Sequence, residues 1–248
     1  MGKPRYDILA LNFIGSAPEF NYLEEGFKQS VLANAGARLH IIRPLAPEKA
    51  KGCRYSYTVT NAKLRHWADE IQHIDRPTIL MDVDLVVRKD LHDVFETMTD
   101  DIAFTVSDNS TWVNSGVVFV KPTDYAKYFL RQWADLDDQM YNSKIMNGMP
   151  KEVRKGHFKT GVLGMNQTSL AVLLSENKFD YNTVPASKYN CWYADWDKWD
   201  PETTAVIHVQ MGLRKALLHE LGHGQMNGQL ARRKKRNQKI IDDIIKYF

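Results

Sequence analysis

The run Ile79-Leu80-Met81-Asp82-Val83-Asp84-Leu85-Val86-Val87 places two carboxylates one residue apart inside an otherwise apolar stretch. Pro77 stands before it and Arg88-Lys89-Asp90 follow, so it reads as a buried strand over Thr78 to Val87. Leaving two carboxylates unpaired there would cost several kcal/mol each, so something must compensate them. Along a strand, residues i and i+2 point to the same side, which predicts that Asp82 and Asp84 face one site together. Two hard oxygen ligands on one face suit Mg²⁺ or Mn²⁺, and such an ion suits a phosphate-bearing substrate.

The rest of the chain supplies a frame for that strand. Tyr6 to Phe13 reads as a first strand. Tyr22 to Ala35 reads as a helix with Leu23, Phe27 and Val31 on one face and Gly36 as its stop. Arg38 to Arg43 reads as a strand and Thr60 to Gln72 as a helix carrying Lys63 and Arg65. Ile102 to Val106 and Gly116 to Val120 are further strands, followed by a helix over Tyr125 to Asp135. A helix over Asn166 to Glu176, a strand over Ala205 to Val209 and a helix over Leu213 to Leu221 complete the pattern. Strands alternating with helices predict an α/β domain with a largely parallel sheet, whose ligands bind beyond the carboxyl ends of the strands. Ile240, Ile241, Ile244, Ile245 and Phe248, at helical spacing, predict a C-terminal helix docked on the core.

At 248 residues the chain is long enough to bury a sizeable core. No stretch approaches the ~20 apolar residues that cross a bilayer. The two cysteines, Cys53 and Cys191, give neither a disulfide framework nor a metal-type spacing. The N-terminus has no apolar signal core, so a cytoplasmic setting is expected. A net charge of +3 is too mild to imply nucleic-acid binding. The run Arg232-Arg233-Lys234-Lys235-Arg236 is more pointed, and it reads either as a solvated helix face or as a landing patch for a polyanion such as DNA or an anionic membrane.

The Asp82-Val83-Asp84 strand and five downstream or upstream segments together resemble a glycosyltransferase of the GT-A fold. The likeness is to the family-eight group, which includes glycogenin and lipopolysaccharide galactosyltransferases, and to the related nucleotide-diphospho-sugar transferases. Asn61-Ala62-Lys63-Leu64-Arg65 resembles the helix before the Asp-x-Asp strand, with Lys63 or Arg65 as a cation near the diphosphate. Asn114-Ser115-Gly116-Val117 resembles the family's Asn-Ala/Ser-Gly-Val strand, with Asn114 and Asp108 as sugar-binding groups. Gly164-Met165-Asn166-Gln167-Thr168-Ser169-Leu170 resembles the family's Asp-Gln helix start. Gln167 matches there, but Asn166 stands where the family has Asp, which leaves the identity of any nucleophile open. Val184-Pro185-Ala186-Ser187-Lys188-Tyr189-Asn190 resembles a Leu-Pro-x-x-Tyr-Asn segment whose role in the family is mostly architectural. Ile207-His208-Val209-Gln210-Met211-Gly212-Leu213-Arg214-Lys215 resembles His-x-x-Gly-x-x-Lys with one extra residue, so either Arg214 or Lys215 fills the cationic role beside Gly212.

The resemblance implies a GT-A catalytic domain over residues 1–215, with a Rossmann-like, mostly parallel sheet, and a helical, basic extension over 216–248. It implies Mn²⁺ or Mg²⁺ on Asp82, Asp84 and His208, and a nucleotide sugar, UDP-linked in most of the family, as donor. Gln167, Asp108 and Asn114 are the implied catalytic set, and the family retains anomeric configuration. The acceptor is open between a saccharide or lipopolysaccharide and a hydroxylated DNA base. The basic run motivates the DNA version, as do Trp192, Tyr193, Trp196 and Trp199, which suit base stacking; the three tryptophans at helical spacing suit core packing equally. A different class competes: His219-Glu220-Leu221-Gly222-His223 is a His-Glu-x-x-His string, which on one helix would hold Zn²⁺ with Glu220 as the general base of a metalloprotease.

Overall fold

The computed structural model describes residues 4–15, 17–48, 55–108, 113–142, 165–176, 178–192, 195–223 and 237–248. The run Arg232 to Arg236, Cys53 and Tyr193 lie outside the described residues. Among the described residues, no helix is long and apolar enough to cross a membrane.

The described residues hold eight strands: β1 (Tyr6–Leu11), β2 (Ala37–Ile42), β3 (Thr78–Asp82), β4 (Leu85–Val87), β5 (Ile102–Val106), β6 (Val113–Val120), β7 (Asn182–Pro185) and β8 (Val206–His208). The helices that matter here are α1 (Glu19–Asn34), α2 (Tyr55–Glu70), α3 (His92–Thr97), α4 (Asp124–Asn142), α5 (Met165–Ser175), α6 (Ala186–Tyr189), α7 (Met211–Glu220) and α8 (237–244). Six strands form one sheet in the order β2-β1-β3-β6-β5-β7. Of these six, β6 runs against the rest, pairing antiparallel with both β3 and β5. The β1–β2, β1–β3 and β5–β7 pairs are parallel. The sheet is the mostly parallel α/β sheet that the alternation of strands and helices predicts.

Strand pleating sorts the apolar side chains onto two faces. Ile8, Ala10, Ile79, Met81, Val117 and Phe119 join Phe27 and Val31 of α1 in one core. Leu9, Leu80, Phe104, Val118 and Val120 meet Leu64 and Trp67 of α2, Phe129 and Trp133 of α4, and Leu170 of α5 in a second. Every residue of β1 is buried, as expected for a strand with helices on both sides. A third core gathers Leu23, Val86, Ile207, Leu213, Leu217, Ile240, Ile241 and Ile244, so the C-terminal helix α8 packs its isoleucine stripe against α1, β4, β8 and α7. Residue 215, the expected domain limit, falls inside α7.

One expectation fails in a way that shapes the site. The strand over Thr78 to Val87 is not continuous. It ends at Asp82, bends through Val83 and Asp84, and resumes as β4, which pairs antiparallel with β8 in a separate two-stranded sheet. The cause lies in the neighbours. β3 keeps β6 as a partner only from Thr78 to Met81, where the register runs Met81↔Val117. One residue further the imidazole of His208 lies against Gly116 and takes the next place beside β6. Asp82 and Asp84 therefore share a site because the chain turns between two sheets, not because of strand alternation.

Candidate active site

Asp82 ends β3, at the carboxyl edge where parallel sheets gather ligands. Asp84 follows the bend, and its carbonyl accepts the Val209 N–H at 2.7 Å. The β4–β8 register opposes Leu85 to His208, which brings an imidazole 124 residues away in sequence beside Asp84. His208 Nε2 lies 3.2 Å from Asp84 Oδ1 and 3.9 Å from Asp82 Oδ2. One ligand atom from each of Asp82, Asp84 and His208 lies within 4.8 Å of the others, and among the described residues this is the group of metal-ligating side chains that converges.

Two cations face this group. Lys63, buried midway along α2, pairs with Asp82 Oδ1 while its ammonium sits 4.4 Å from the centre of the Trp67 ring. Arg214 of α7 approaches Asp84 Oδ2 at 3.7 Å and lies over Phe20 at 5.1 Å. Burial would raise the Asp84 carboxyl, but the facing His208, Arg214 and Lys63 outweigh it and hold the group below the usual carboxylate range. Two carboxylates with an imidazole nitrogen match the hard oxygen and borderline nitrogen ligands of Mn²⁺ or Mg²⁺. The residues present fit such an ion.

The carboxylates open onto a cleft of about 200 Å³. Its walls come from Leu11 at the end of β1, Asn12 and Phe13 just beyond it, Phe20 of α1, Val59, Thr60 and Lys63 of α2, and the Asp82-Val83-Asp84 bend. The Asn12 amide donates to Glu24 Oε2 at 2.7 Å, and Arg43 and Lys28 pair with that same carboxylate. Asn12 and Phe13 escaped the sequence reading, although their position just past a parallel strand is the signal that would have found them.

The other expected residues divide. Arg65 turns from the cleft to α4, where it bonds Asp135 at 3.0 Å and also Asp138. It stands two positions after Lys63, so the helix points the two side chains to different sides. Arg214 reaches Asp84, whereas Lys215 is exposed on α7 and Gly212 is buried in its first turn. Asn114 is buried; its Oδ1 accepts the Gly116 N–H at 2.7 Å, and its Nδ2 meets no hydrogen-bond partner among the described residues. Asp108 lies past the end of β5, with Lys198 Nζ at 3.7 Å. Gln167 stands half-buried in the first turn of α5. That turn is pinned on all sides. Trp133 Nε1 donates to the Asn166 carbonyl at 2.9 Å, Asn166 Nδ2 to Ser115 Oγ at 3.0 Å, and Ser169 Oγ to buried Asp137 at 2.5 Å. Asp137 also accepts from Asn61 of α2, so one carboxylate ties the helix of Lys63 to the helix of Gln167.

The His-Glu-x-x-His string does not form a metal site. Helix α7 ends at Glu220, and Gly222 takes a left-handed φ of 79°. Gly222 N–H bonds the His219 carbonyl and His223 N–H the Leu218 carbonyl, the paired bonds of a glycine-terminated helix. His223 thereby leaves the helix and stacks on Tyr22 at 3.9 Å. His219 and His223 no longer share a helix face, which removes the premise of the metalloprotease reading. The tryptophans are not a helix face either: Trp196 belongs to a single 3₁₀ turn, and Trp196 and Trp199 pack on the third core.

Comparison with known proteins agrees with this geometry. The model of the nucleotide-diphospho-sugar transferase family matches residues 40–214. No curated protein matches the chain. Among solved structures, a glycosyltransferase involved in the glycosylation of the major capsid of PBCV-1 is 13% identical with a TM-score of 0.54, covering 84% of this chain and 95% of its own. The glycosyltransferase GlyE of Streptococcus pneumoniae TIGR4 is 14% identical with a TM-score of 0.55, covering 97% of this chain and 64% of its own. The bifunctional glycosyltransferase WbbM is 9% identical with a TM-score of 0.54, covering 85% of this chain and 46% of its own. At these identities the likeness is one of fold, and the fold is that of GT-A glycosyltransferases.

Proposed function

Because the chain belongs to the nucleotide-diphospho-sugar transferase family, we propose that it moves a sugar from a UDP-linked donor to a saccharide hydroxyl, with a divalent metal and with retention of anomeric configuration. The observation that carries this reading is the convergence of Asp82, Asp84 and His208 at the mouth of a cleft. Asp82, Asp84 and His208 would hold a divalent ion there, and it would supply positive charge to the oxygens of the departing diphosphate. Lys63 and Arg214, within reach of the same carboxylates, add fixed positive charge where the leaving group gains negative charge. The cleft floor of Leu11, Asn12 and Phe13, with Phe20 above, receives the nucleoside through apolar contact and amide hydrogen bonding. Asn114 and Gln167 orient the sugar, with the buried Asn114 amide as an available donor. Asp108 contributes a carboxylate from the β5 end of the same edge. With Asn166 where relatives of the resembled group carry Asp, attack by the acceptor hydroxyl on the face the leaving group departs from accounts for retention without a carboxylate nucleophile at that position.

The test is release of UDP from UDP-sugars in the presence of Mn²⁺. The expected result is release that EDTA abolishes, Mn²⁺ restores and Asp84→Asn removes. Release that persists in EDTA, or in Asp84→Asn, refutes the metal-dependent reading. Product anomeric configuration read by NMR decides retention.

A further inference from the structure

Histidine can ligate a metal only through a nitrogen that carries no proton, and which nitrogen that is depends on what the other one touches. The surroundings of His208 decide this through a directed chain of hydrogen bonds. The chain begins at the Asn114 carbonyl, which can only accept. The Thr105 hydroxyl donates its single proton there, at 3.1 Å. Its oxygen is then left to accept, and Asn190 Nδ2 donates to it at 2.9 Å. That contact fixes which way the Asn190 amide faces, and turns its Oδ1 toward His208 Nδ1 at 2.9 Å. An amide oxygen is an acceptor, so Nδ1 must carry the ring proton. With Nδ1 carrying the neutral ring's one proton, Nε2 presents its lone pair to Asp84 Oδ1 at 3.2 Å and Asp82 Oδ2 at 3.9 Å, a placement that bare carboxylates oppose and a cation bound between them rewards.

The chain is sealed from water. Asn190 and Thr105 are 0% exposed and His208 is 1% exposed. The backbone clamps it as well. Cys191, the residue after Asn190, pairs with Ile207, the residue before His208, and the His208 N–H bonds the Cys191 carbonyl at 2.9 Å. On the far side of the ring Gly116 offers no side chain, and a Cβ there would lie 2.7 Å from His208 Cε1, so the ring packs directly against the β6 backbone. The Gln210 amide nitrogen lies 2.7 Å from Nε2 and 3.2 Å from Nδ1. Those two distances put it across the ring rather than along either lone pair, and it does not compete with Asn190 for Nδ1.

We infer that Asn190 is a positioning residue that holds His208 as its Nδ1–H tautomer and so aims an unprotonated Nε2 at a divalent ion between Asp82 and Asp84. This rests on the metal-dependent reading above and gives Asn190 a role beyond the architectural one that its segment suggests. Histidine in water favours the other tautomer, so the state of this ring is diagnostic.

The experiment uses the full chain labelled with ¹⁵N-histidine, free of metal, at a pH high enough to leave one ring proton. The His208 signals are identified by their loss in His208→Ala. Long-range ¹H–¹⁵N spectra are expected to show Nδ1–H in the native protein and in Asn190→Asp, whose carboxylate still accepts from Nδ1. They are expected to show a shift toward Nε2–H in Asn190→Ala and, with side-chain volume kept, in Thr105→Val. Mn²⁺ affinity, read from free Mn²⁺ by EPR, is expected to fall about 10- to 100-fold in Asn190→Ala and to recover in Asn190→Asp. Should Asn190→Ala not fold, Thr105→Val carries the same two readouts. An Nε2–H ring in the native protein, or native Mn²⁺ affinity in a folded Asn190→Ala, overturns the inference. A native protein that binds no Mn²⁺ overturns the metal reading instead, and the tautomer measurement, which needs no metal, still decides what Asn190 does to the ring.

Discussion

Substituting Gly116 by alanine tests the site with a single methyl group. A Cβ built on Gly116 would lie 2.7 Å from His208 Cε1, 3.1 Å from His208 Nδ1 and 3.0 Å from Asn114 Oδ1. To regain ordinary contact the imidazole must retreat by about 0.7 Å. It has little freedom to do so. Its ring nitrogen is bonded to Asn190, its backbone N–H to Cys191, and the following N–H to Asp84. Overpacking of this kind costs about 1–3 kcal/mol. If the metal-bound state bears that cost, Mn²⁺ affinity falls about 5- to 150-fold, at 1.4 kcal/mol per tenfold. The displacement also exceeds the ~0.5 Å within which a ligand constellation must be held. The assay is UDP release against Mn²⁺ concentration, with thermal unfolding alongside. Gly26→Ala is the control, because its methyl would overlap the Phe248 ring, away from the carboxylates. Gly26→Ala is expected to lower the melting temperature with an unchanged Mn²⁺ dependence, and a second change, Phe248→Ala, relieves the overlap. A Gly116→Ala protein with native Mn²⁺ dependence would refute the claim that His208 is wedged against β6 as a ligand.

Three further predictions separate neighbouring residues. Lys63→Met keeps the stem over Trp67 but removes the charge facing Asp82, and should cut donor turnover at least about tenfold; Arg65→Met breaks half-exposed pairs with Asp135 and Asp138, and should cost no more than about 1 kcal/mol in denaturant unfolding with turnover unchanged. Asp137 is held above the usual carboxylate range mainly by burial, so the folded state keeps its proton to higher pH than the unfolded chain does. Unfolding then releases a proton, stability declines as pH climbs from the ordinary carboxylate value through the raised one, and Asp137→Asn should flatten that part of the unfolding free energy measured against pH. Finally, Glu220→Ala and His223→Ala should leave UDP release intact and create no loss of peptide hydrolysis, since His223 sits past the helix end; zinc-dependent proteolysis that either variant abolishes would reverse that conclusion.

Several features of the molecule are local in origin, and the sequence by itself determined them. The alternation of strands and helices, the core faces of β1 and α1, the isoleucine stripe of α8 and the acidic pair at a strand end all follow from periodicities within a few residues. The glycine that ends α7 is equally local, and Gly222 inside the His-Glu-x-x-His string already argued for a helix stop. The resemblance in ordered segments named Asp82, Asp84 and His208 together, but not how they meet.

Only the tertiary structure decided that Asp82 ends one sheet while Asp84 lies in the bend that leads to another. Strand periodicity cannot report where a neighbour is lost, and β3 loses β6 because a residue 124 positions after Asp84 fills the adjoining space. The choice of Arg214 over Lys215, and of Lys63 over Arg65, depended on how two helices are rotated against the sheet, which their own sequences leave free. The chain from Asn114 through Thr105 and Asn190 to His208 joins four segments whose hydrogen-bond directions are set by one another. Such directionality exists only once the segments are packed together without water, and no pattern along the sequence encodes it.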